Sequence, residues 1–320
     1  MPHFDTDAIT EADPAYQRLG HGPGCSCAAH SRRRFSVGLG LGLGLGSALA
    51  FPAWAKEGVD VGRNSSFSKL VPAEKIEQAA AQQFQQMQSQ ARQQRALAPD
   101  DHPQLQRLHY IAKRIIPFTF AWNPRAKQWK WEVILLGGQQ INAFCMPGGK
   151  IAFFWGILSR LQLSDDEVAM IMGHEMAHAL REHARERMGK SFATRGGLEI
   201  ASALLGLGDL GRLAAGMGEQ MLSLVFSRDD ESEADLVGME LAARAGYNAA
   251  AGITLWQKMG AANKGAPPEF LSTHPSGPTR IKDIEANLPK VAGLYERAPK
   301  PERRFGPPPP AAQSEAAPRR

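Results

Sequence analysis

The sequence has little cysteine, three residues in 320, which excludes a disulfide-stapled scaffold. It also lacks a strong charge bias. With 37 Lys+Arg against 32 Asp+Glu, the net charge of +5 neither requires nor excludes an anionic partner. No internal repeat recurs along it, which argues against a solenoid or propeller. No stretch is both long and apolar enough to make a comfortable membrane span. What is present is ordinary for a globular chain, 43% hydrophobic and 22% charged residues. A wholly disordered, collagenous or polytopic membrane chain is therefore excluded, while the length suffices for a sizeable core.

The first departure from a globular pattern is Ser31-Arg32-Arg33-Arg34-Phe35-Ser36, followed by Val37, Gly38, four Leu-Gly pairs and the triplet Ala53-Trp54-Ala55. A basic start, a weakly apolar middle and a small-x-small end are the three parts of a secretory signal. Arg32 and Arg33 with Phe35 resemble a twin-arginine export signal; an ordinary Sec signal with one extra Arg is the alternative. Cleavage near Ala55 would leave a periplasmic protein, and an uncleaved signal would anchor it to the inner membrane. Cys25 and Cys27, with His21 and His30, look like a metal site but would be discarded with the signal. Only Cys145 then remains, and no internal disulfide can form.

Four segments are expected: an export signal over 1–55, a flexible polar lead-in over 56–70, a catalytic domain over 71–297 and a Pro-rich disordered tail over 298–320. Pro72 and the stripe Ile76, Ala80, Phe84, Met87, Ala91 predict an amphipathic helix. A second helix starts at Pro103 and stops before Pro117. Trp131–Leu136 reads as a strand, and Ile141–Cys145 and Lys150–Phe154 flank the hairpin turn Pro147-Gly148-Gly149. No other strong strand pattern follows, so the sheet is expected to be small. Ser164-Asp165-Asp166-Glu167 is a capping box that starts a helix whose pattern runs unbroken to Gly189. Residues 196–218, rich in Ala, Leu and Gly but carrying Glu199, Asp209 and Arg212, read as a loosely packed helical insertion. Helices are also expected from about Arg228 to Ala245, over about 249–262, and from near Pro278.

The chemistry is carried by His174-Glu175-Met176-Ala177-His178. Histidines four apart share a helix face and can reach one metal ion, while Glu175, offset by about 100°, can point at its open side. A catalytic zinc takes three protein ligands and leaves room for water, whose proton Glu175 would accept and pass to the leaving amine. The third ligand is not a downstream histidine. A His-Glu-x-x-His-x-x-Gly-x-x-His pattern needs Gly at 181 and His at 184, where this sequence has Arg181 and Ala184. His183 lies one residue short, points about 140° away from His178, and reads as a partly exposed surface histidine. Instead, Glu231 and Asp235 share a face of a later helix, so that Glu231 can bind zinc and Asp235 can accept the spare ring N–H of a ligand histidine. Glu233, about 200° from Glu231, should not reach the metal.

Asn142-Ala143-Phe144, Pro147-Gly148-Gly149-Lys150-Ile151, His174-Glu175-x-x-His178, Glu231-x-x-Ala234-Asp235 and Thr273-His274-Pro275-Ser276 with Arg280-Ile281 together resemble the HtpX-like and CAAX-prenyl-protease-like zinc metallopeptidases, and most closely their soluble periplasmic BepA/LoiP-like branch. The resemblance covers roughly residues 70–290. It implies an α+β, mostly helical gluzincin-type fold, a small sheet whose edge strand lines the cleft, and one zinc ion between two helices. It also implies proteolysis of misfolded envelope proteins.

A strand over Asn142, Ala143 and Phe144 could accept an extended substrate through its free backbone groups, or could be a plain buried hairpin. His274 could stabilise the oxyanion, or bind zinc as a fourth ligand and hold the enzyme latent; Arg280 could act on the oxyanion or pair with a carboxylate. The expected partners are unfolded or misfolded protein chains, with peripheral contact to the envelope membrane, no nucleic acid and a monomeric state. The competing reading is a periplasmic chaperone-like module whose zinc is mainly structural.

Overall fold

The computed structural model describes residues 57–194, 225–262, 269–274 and 278–309; the export segment, the 196–218 segment and the chain beyond 309 lie outside them. Helix α1 (Ala73–Gln93) follows Pro72 and buries Ile76, Ala80, Phe84 and Ala91, the stripe that its spacing predicts. Helix α2 (Pro103–Thr119) runs past the expected stop and includes Pro117. That proline falls in the last turn, where it forfeits a terminal bond rather than breaking the helix interior, and buried Ile115, Ile116 and Thr119 hold the turn in place.

Three strands follow, β1 (Glu132–Leu136), β2 (Ala143–Met146) and β3 (Lys150–Phe154), in the spatial order β1-β3-β2. β3 pairs in parallel with β1 and antiparallel with β2, with Cys145 opposite Ile151 and Met146 opposite Lys150. The β2–β3 turn needs Gly148 and Gly149 at φ 83° and 75°, a region that side chains disfavour. Because strand side chains alternate, Ile134, Leu136, Met146 and Ala152 meet Phe84 and Ala80 of α1 on one face. The opposite face packs on α2 and on the motif helix, α4. β3 runs directly into a short helix, α3 (Trp155–Leu161), which no capping signal announces.

α4 spans Asp165–Leu180 and starts at the expected capping box, in which Ser164 Oγ accepts from the Glu167 N–H at 3.3 Å and Glu167 accepts from the Ser164 N–H at 2.8 Å. The pattern does break before Gly189. Glu182 adopts φ 62° and a new helix, α5 (His183–Thr194), begins beside it. Helix α6 (Arg228–Arg244) carries a second capping box, made by Ser227 and Asp230. Helices α7 (Ala251–Ala262), α8 (Glu269–Thr273) and α9 (Pro278–Arg297) complete the described chain. Among the described residues no helix is long and apolar enough to cross a membrane.

Segments expected to be a free lead-in and tail both pack against this body. The Val59 N–H donates to buried Glu240 at 2.8 Å, and a 3-10 turn over Ser66–Leu70 lies on α5. Past residue 298, the N–H groups of Phe305 and Gly306 donate to Asp165 at 2.8 and 3.2 Å, and Glu302 N–H donates to Tyr110 Oη. Asp165 also holds fully buried Arg107 at 2.7 Å. Pro-rich composition suggested disorder here; specific backbone donors, each with a partner on the body, give the segment a fixed path.

α4 and α6 share the most extensive contact between described helices, and two glycines permit their close approach. A Cβ at Gly173 would lie 2.8 Å from the Gly238 carbonyl oxygen, and one at Gly238 would lie 2.7 Å from the His174 nitrogen. Both obstructions are backbone, so neither can rotate aside. Gly238→Ala should therefore destabilise the protein by about 2 kcal/mol through overpacking, more than the roughly 1 kcal/mol of helix propensity that alanine brings. Urea unfolding of the metal-free protein measures this, and unchanged or increased stability would contradict the close crossing.

Candidate active site

His174 and His178 leave one face of α4, and Glu231 and Asp235 leave the facing side of α6, one turn apart in each case. All four are buried. His174 Nε2 lies 3.1 Å from His178 Nε2 and 3.6 Å from Glu231 Oε2, and His178 Nε2 lies 3.5 Å from Glu231 Oε1. His274, the residue that follows α8, joins His174, His178 and Glu231 as a fourth donor. His274 Nδ1 is 3.3 Å from His174 Nε2 and 3.0 Å from Glu231 Oε1. These four residues are the group of potential metal donors found among the described residues, with ligand atoms all within 4.8 Å of one another.

The spacing can be tested against a metal's requirements. Zinc–nitrogen and zinc–oxygen bonds of about 2.0–2.1 Å place tetrahedral ligand atoms about 3.3–3.4 Å apart. The contacts given above run from 3.0 to 3.6 Å and centre on that figure. Nitrogen and carboxylate donors, with no sulfur, suit zinc and other borderline divalent ions. His174 turns its other nitrogen, Nδ1, to Asp235 Oδ1 at 3.0 Å, which leaves Nε2 free to donate its lone pair.

Glu175 stands beside this cluster with a distinctive feature. Its Oε1 is buried without a hydrogen-bond partner, and His274 Nε2 is 3.6 Å away. Burial raises its pKa above the ordinary carboxylate value, against the opposing pull of His274 and His174, and so brings it closer to that of a base able to accept and return a proton. Glu175, His178 and His274 open on a cavity of about 390 Å³, which β2 also borders through Ala143, Phe144, Cys145 and Met146. β2 pairs with β3 on one side, and no described strand pairs with the other. Asn142, just before the strand, accepts from Phe154 N–H through its carbonyl and from Ala143 N–H through its side chain. The preceding Ile141 carbonyl accepts from Phe270 N–H, tying α8, and with it His274, to the sheet.

Arg280, from the start of α9, turns toward carboxylates. Nε and Nη2 bind the two oxygens of Asp235 at 2.7 Å each, and Nη1 binds Glu231 Oε2 at 2.6 Å. The guanidinium centre lies 3.7 Å from the centroid of the Trp256 ring, a cation–π contact that compensates the charge on its other face. Burial disfavours the Asp235 charge, but Arg280 and the hydrogen bond from His174 outweigh it and hold the pKa down at about 2. Glu231 is also lowered despite burial, chiefly by its hydrogen bond to His274 and that residue's charge.

His183 departs from its expected place. It is 2% exposed, with Nδ1 2.9 Å from His178 Nδ1. Helical arithmetic failed because α4 ends at Leu180 and the left-handed turn at Glu182 redirects the chain. No glycine marks that turn, so the local sequence carried no warning. Glu233 stays away from the cluster, as its angle required; it pairs with Arg181 and faces His183.

Comparison with known proteins agrees with this arrangement. Mitochondrial metalloendopeptidase OMA1 of Arabidopsis thaliana is 39% identical over 168 residues, which cover 52% of this chain and 34% of that protein. Metalloprotease LoiP of Escherichia coli is 28% identical over 153 residues, 47% of this chain and 60% of its own. The beta-barrel assembly-enhancing protease of Yersinia pestis is 27% identical over 206 residues, 60% of this chain and 41% of its own. The chain thus spans less than two thirds of the length of each of these relatives. The resemblance drawn from the motifs to BepA-like and LoiP-like proteins is borne out by the last two. The model of Peptidase family M48 matches residues 103–288, a span that contains both motif helices, His274 and Arg280. The chain belongs to peptidase family M48.

Proposed function

We propose that the protein is a zinc-dependent endopeptidase that hydrolyses peptide bonds in unfolded or misfolded chains, with one ion held by His174, His178 and Glu231. The observation that supports this reading is the convergence of four donor residues, their ligand atoms within 4.8 Å of one another, beside the unpartnered Oε1 of Glu175. A zinc ion in such a site supplies Lewis acidity, which makes water a nucleophile near neutral pH. Glu175 accepts the proton of the attacking water and delivers it to the departing amine. Asp235 keeps His174 in the tautomer that presents Nε2, and Arg280 holds Asp235 and Glu231 in register. The free side of β2 suits an extended substrate, because strand addition reads backbone more than side chains. Such recognition selects unfolded segments, the class of substrate a quality-control protease removes.

The place of action is part of the same proposal. The Arg32-Arg33 signal supports export to the periplasm, with cleavage near Ala55 or retention as an inner-membrane anchor as the two outcomes. Peripheral contact with the envelope membrane and a monomeric state complete it.

A second reading has a specific observation behind it. Structural zinc sites are closed by four protein ligands, and His274 supplies a fourth donor here. On the peptidase reading, His274 would compete with water or substrate for the metal and would have to yield for cleavage. An oxyanion donor would instead stand hydrogen-bond distance from the open position. On the chaperone-like reading, the same closure is permanent.

Two substitutions separate these cases. Glu175→Gln keeps the size of the side chain and removes the base; casein cleavage should fall by about 10²–10⁴-fold with zinc content unchanged, and wild-type cleavage would refute the mechanism. His274→Ala should raise casein cleavage while zinc stays bound. A fall in activity would give His274 a catalytic role, and absence of cleavage in both wild type and variant would favour the structural zinc.

A further inference from the structure

The two histidines of the motif helix are supported differently, and the difference assigns a role to His183. We infer that His183 is a positioning residue for the metal site: it accepts the Nδ1 proton of His178 and thereby fixes which nitrogen of that ligand faces the metal. The inference rests on the reading of His178 as a ligand.

His178 presents Nε2 to the donor cluster, 3.1 Å from His174 Nε2 and 3.5 Å from Glu231 Oε1. Its Nδ1 points the opposite way, to His183 Nδ1 at 2.9 Å. A neutral imidazole carries one proton. For Nε2 to offer a lone pair, that proton must sit on Nδ1, and a buried N–H needs an acceptor. Among the described residues the acceptor within that reach is His183 Nδ1, which must then be bare. The proton of His183 accordingly sits on Nε2, which faces Glu233 Oε1 at 3.7 Å. Arg181 pairs with the same carboxylate oxygen and donates to the Gly62 carbonyl at 3.1 Å. The opposite tautomer of His183 would set two N–H groups against each other at 2.9 Å.

The hydrogen-bonded relay therefore runs from His178 to His183, and the Glu233 carboxylate, paired with Arg181, faces the second ring at 3.7 Å, beyond hydrogen-bond distance. His174 is backed directly by the carboxylate of Asp235; His178 is backed by a neutral ring with its carboxylate one step removed. Phe226 stacks over His178 with ring centroids 4.0 Å apart and lies 6.2 Å from the His183 ring. The apolar cover keeps water from competing for the Nδ1 proton. An outer partner of this kind orients the ring, and losing one typically weakens metal binding by about 10–100-fold.

The test uses an isosteric pair in the full chain. In His183→Asn the amide oxygen stands where Nδ1 stood and can accept the same proton; His183→Leu keeps the shape and removes the acceptor. Zinc affinity is measured by competition with a chromogenic chelator, and the unfolding midpoint of the zinc-free protein serves as the structural control. The expected result is that Leu loses about 10–100-fold in zinc affinity, Asn recovers most of it, and the two zinc-free midpoints agree. Equal zinc affinity for Asn and Leu would overturn the proposal, because packing alone would then account for the site. His178→Ala is measured alongside. If it loses zinc while His183→Leu does not, the relay fails and the ligand reading survives; if it keeps zinc, the ligand reading itself fails and takes the relay with it.

Discussion

Everything at the site depends on how closely α4 and α6 cross. Metal ligands drawn from two separate helices must converge to within a few tenths of an ångström, and here the backbones are close enough that a single Cβ at either glycine would strike the other helix. At the two glycines backbone meets backbone, so the crossing there cannot relax by a change of rotamer. Capping boxes at Ser164 and Ser227 fix where each helix begins. Start points and crossing together set the register of His174 and His178 against Glu231 and Asp235.

That convergence gathers buried charge, which must be compensated. Removing carboxylates from water is costly unless each finds partners. Arg280 meets the requirement for Asp235 and Glu231 together, with Trp256 covering the guanidinium. Glu175 is the exception, with one oxygen unpartnered. An unsatisfied buried polar atom is a local cost, and a catalytic role is one reason for a fold to carry it. In the peptidase reading that role is proton transfer, and the cavity beside it is where the substrate arrives.

Much of this was legible in sequence because the signals were local. The zinc motif, the Glu231/Asp235 pair, both ends of α4's capping box and the Pro147-Gly148-Gly149 turn each act over a few residues, and period-3.6 arithmetic within one helix is dependable. Legibility failed where the determinant was distant or unmarked. His183 was misplaced because a left-handed Glu182, without a glycine to advertise it, ended the helix that the arithmetic assumed. Residues 299–309 read as disordered because their partners, Tyr110 and Asp165, lie far away in sequence. The role of Arg280 stayed open for the same reason: its carboxylates belong to another helix, and only the fold decides between them and an oxyanion. α3 has no start signal in the sequence, because β3 enters it with no intervening cap.

The central claim is that His174 and His178 of α4 and Glu231 of α6 hold one metal ion, with His274 beside it. X-ray absorption at the zinc edge of the purified protein tests it most directly. The account predicts one zinc per chain with nitrogen or oxygen neighbours only, at about 2.0–2.1 Å, and the outer-shell scattering of at least two imidazoles, a third appearing where His274 also binds. A thiolate sulfur neighbour at about 2.3 Å, for which Cys145 is the one cysteine among the described residues, or a chain that retains no zinc, would contradict it.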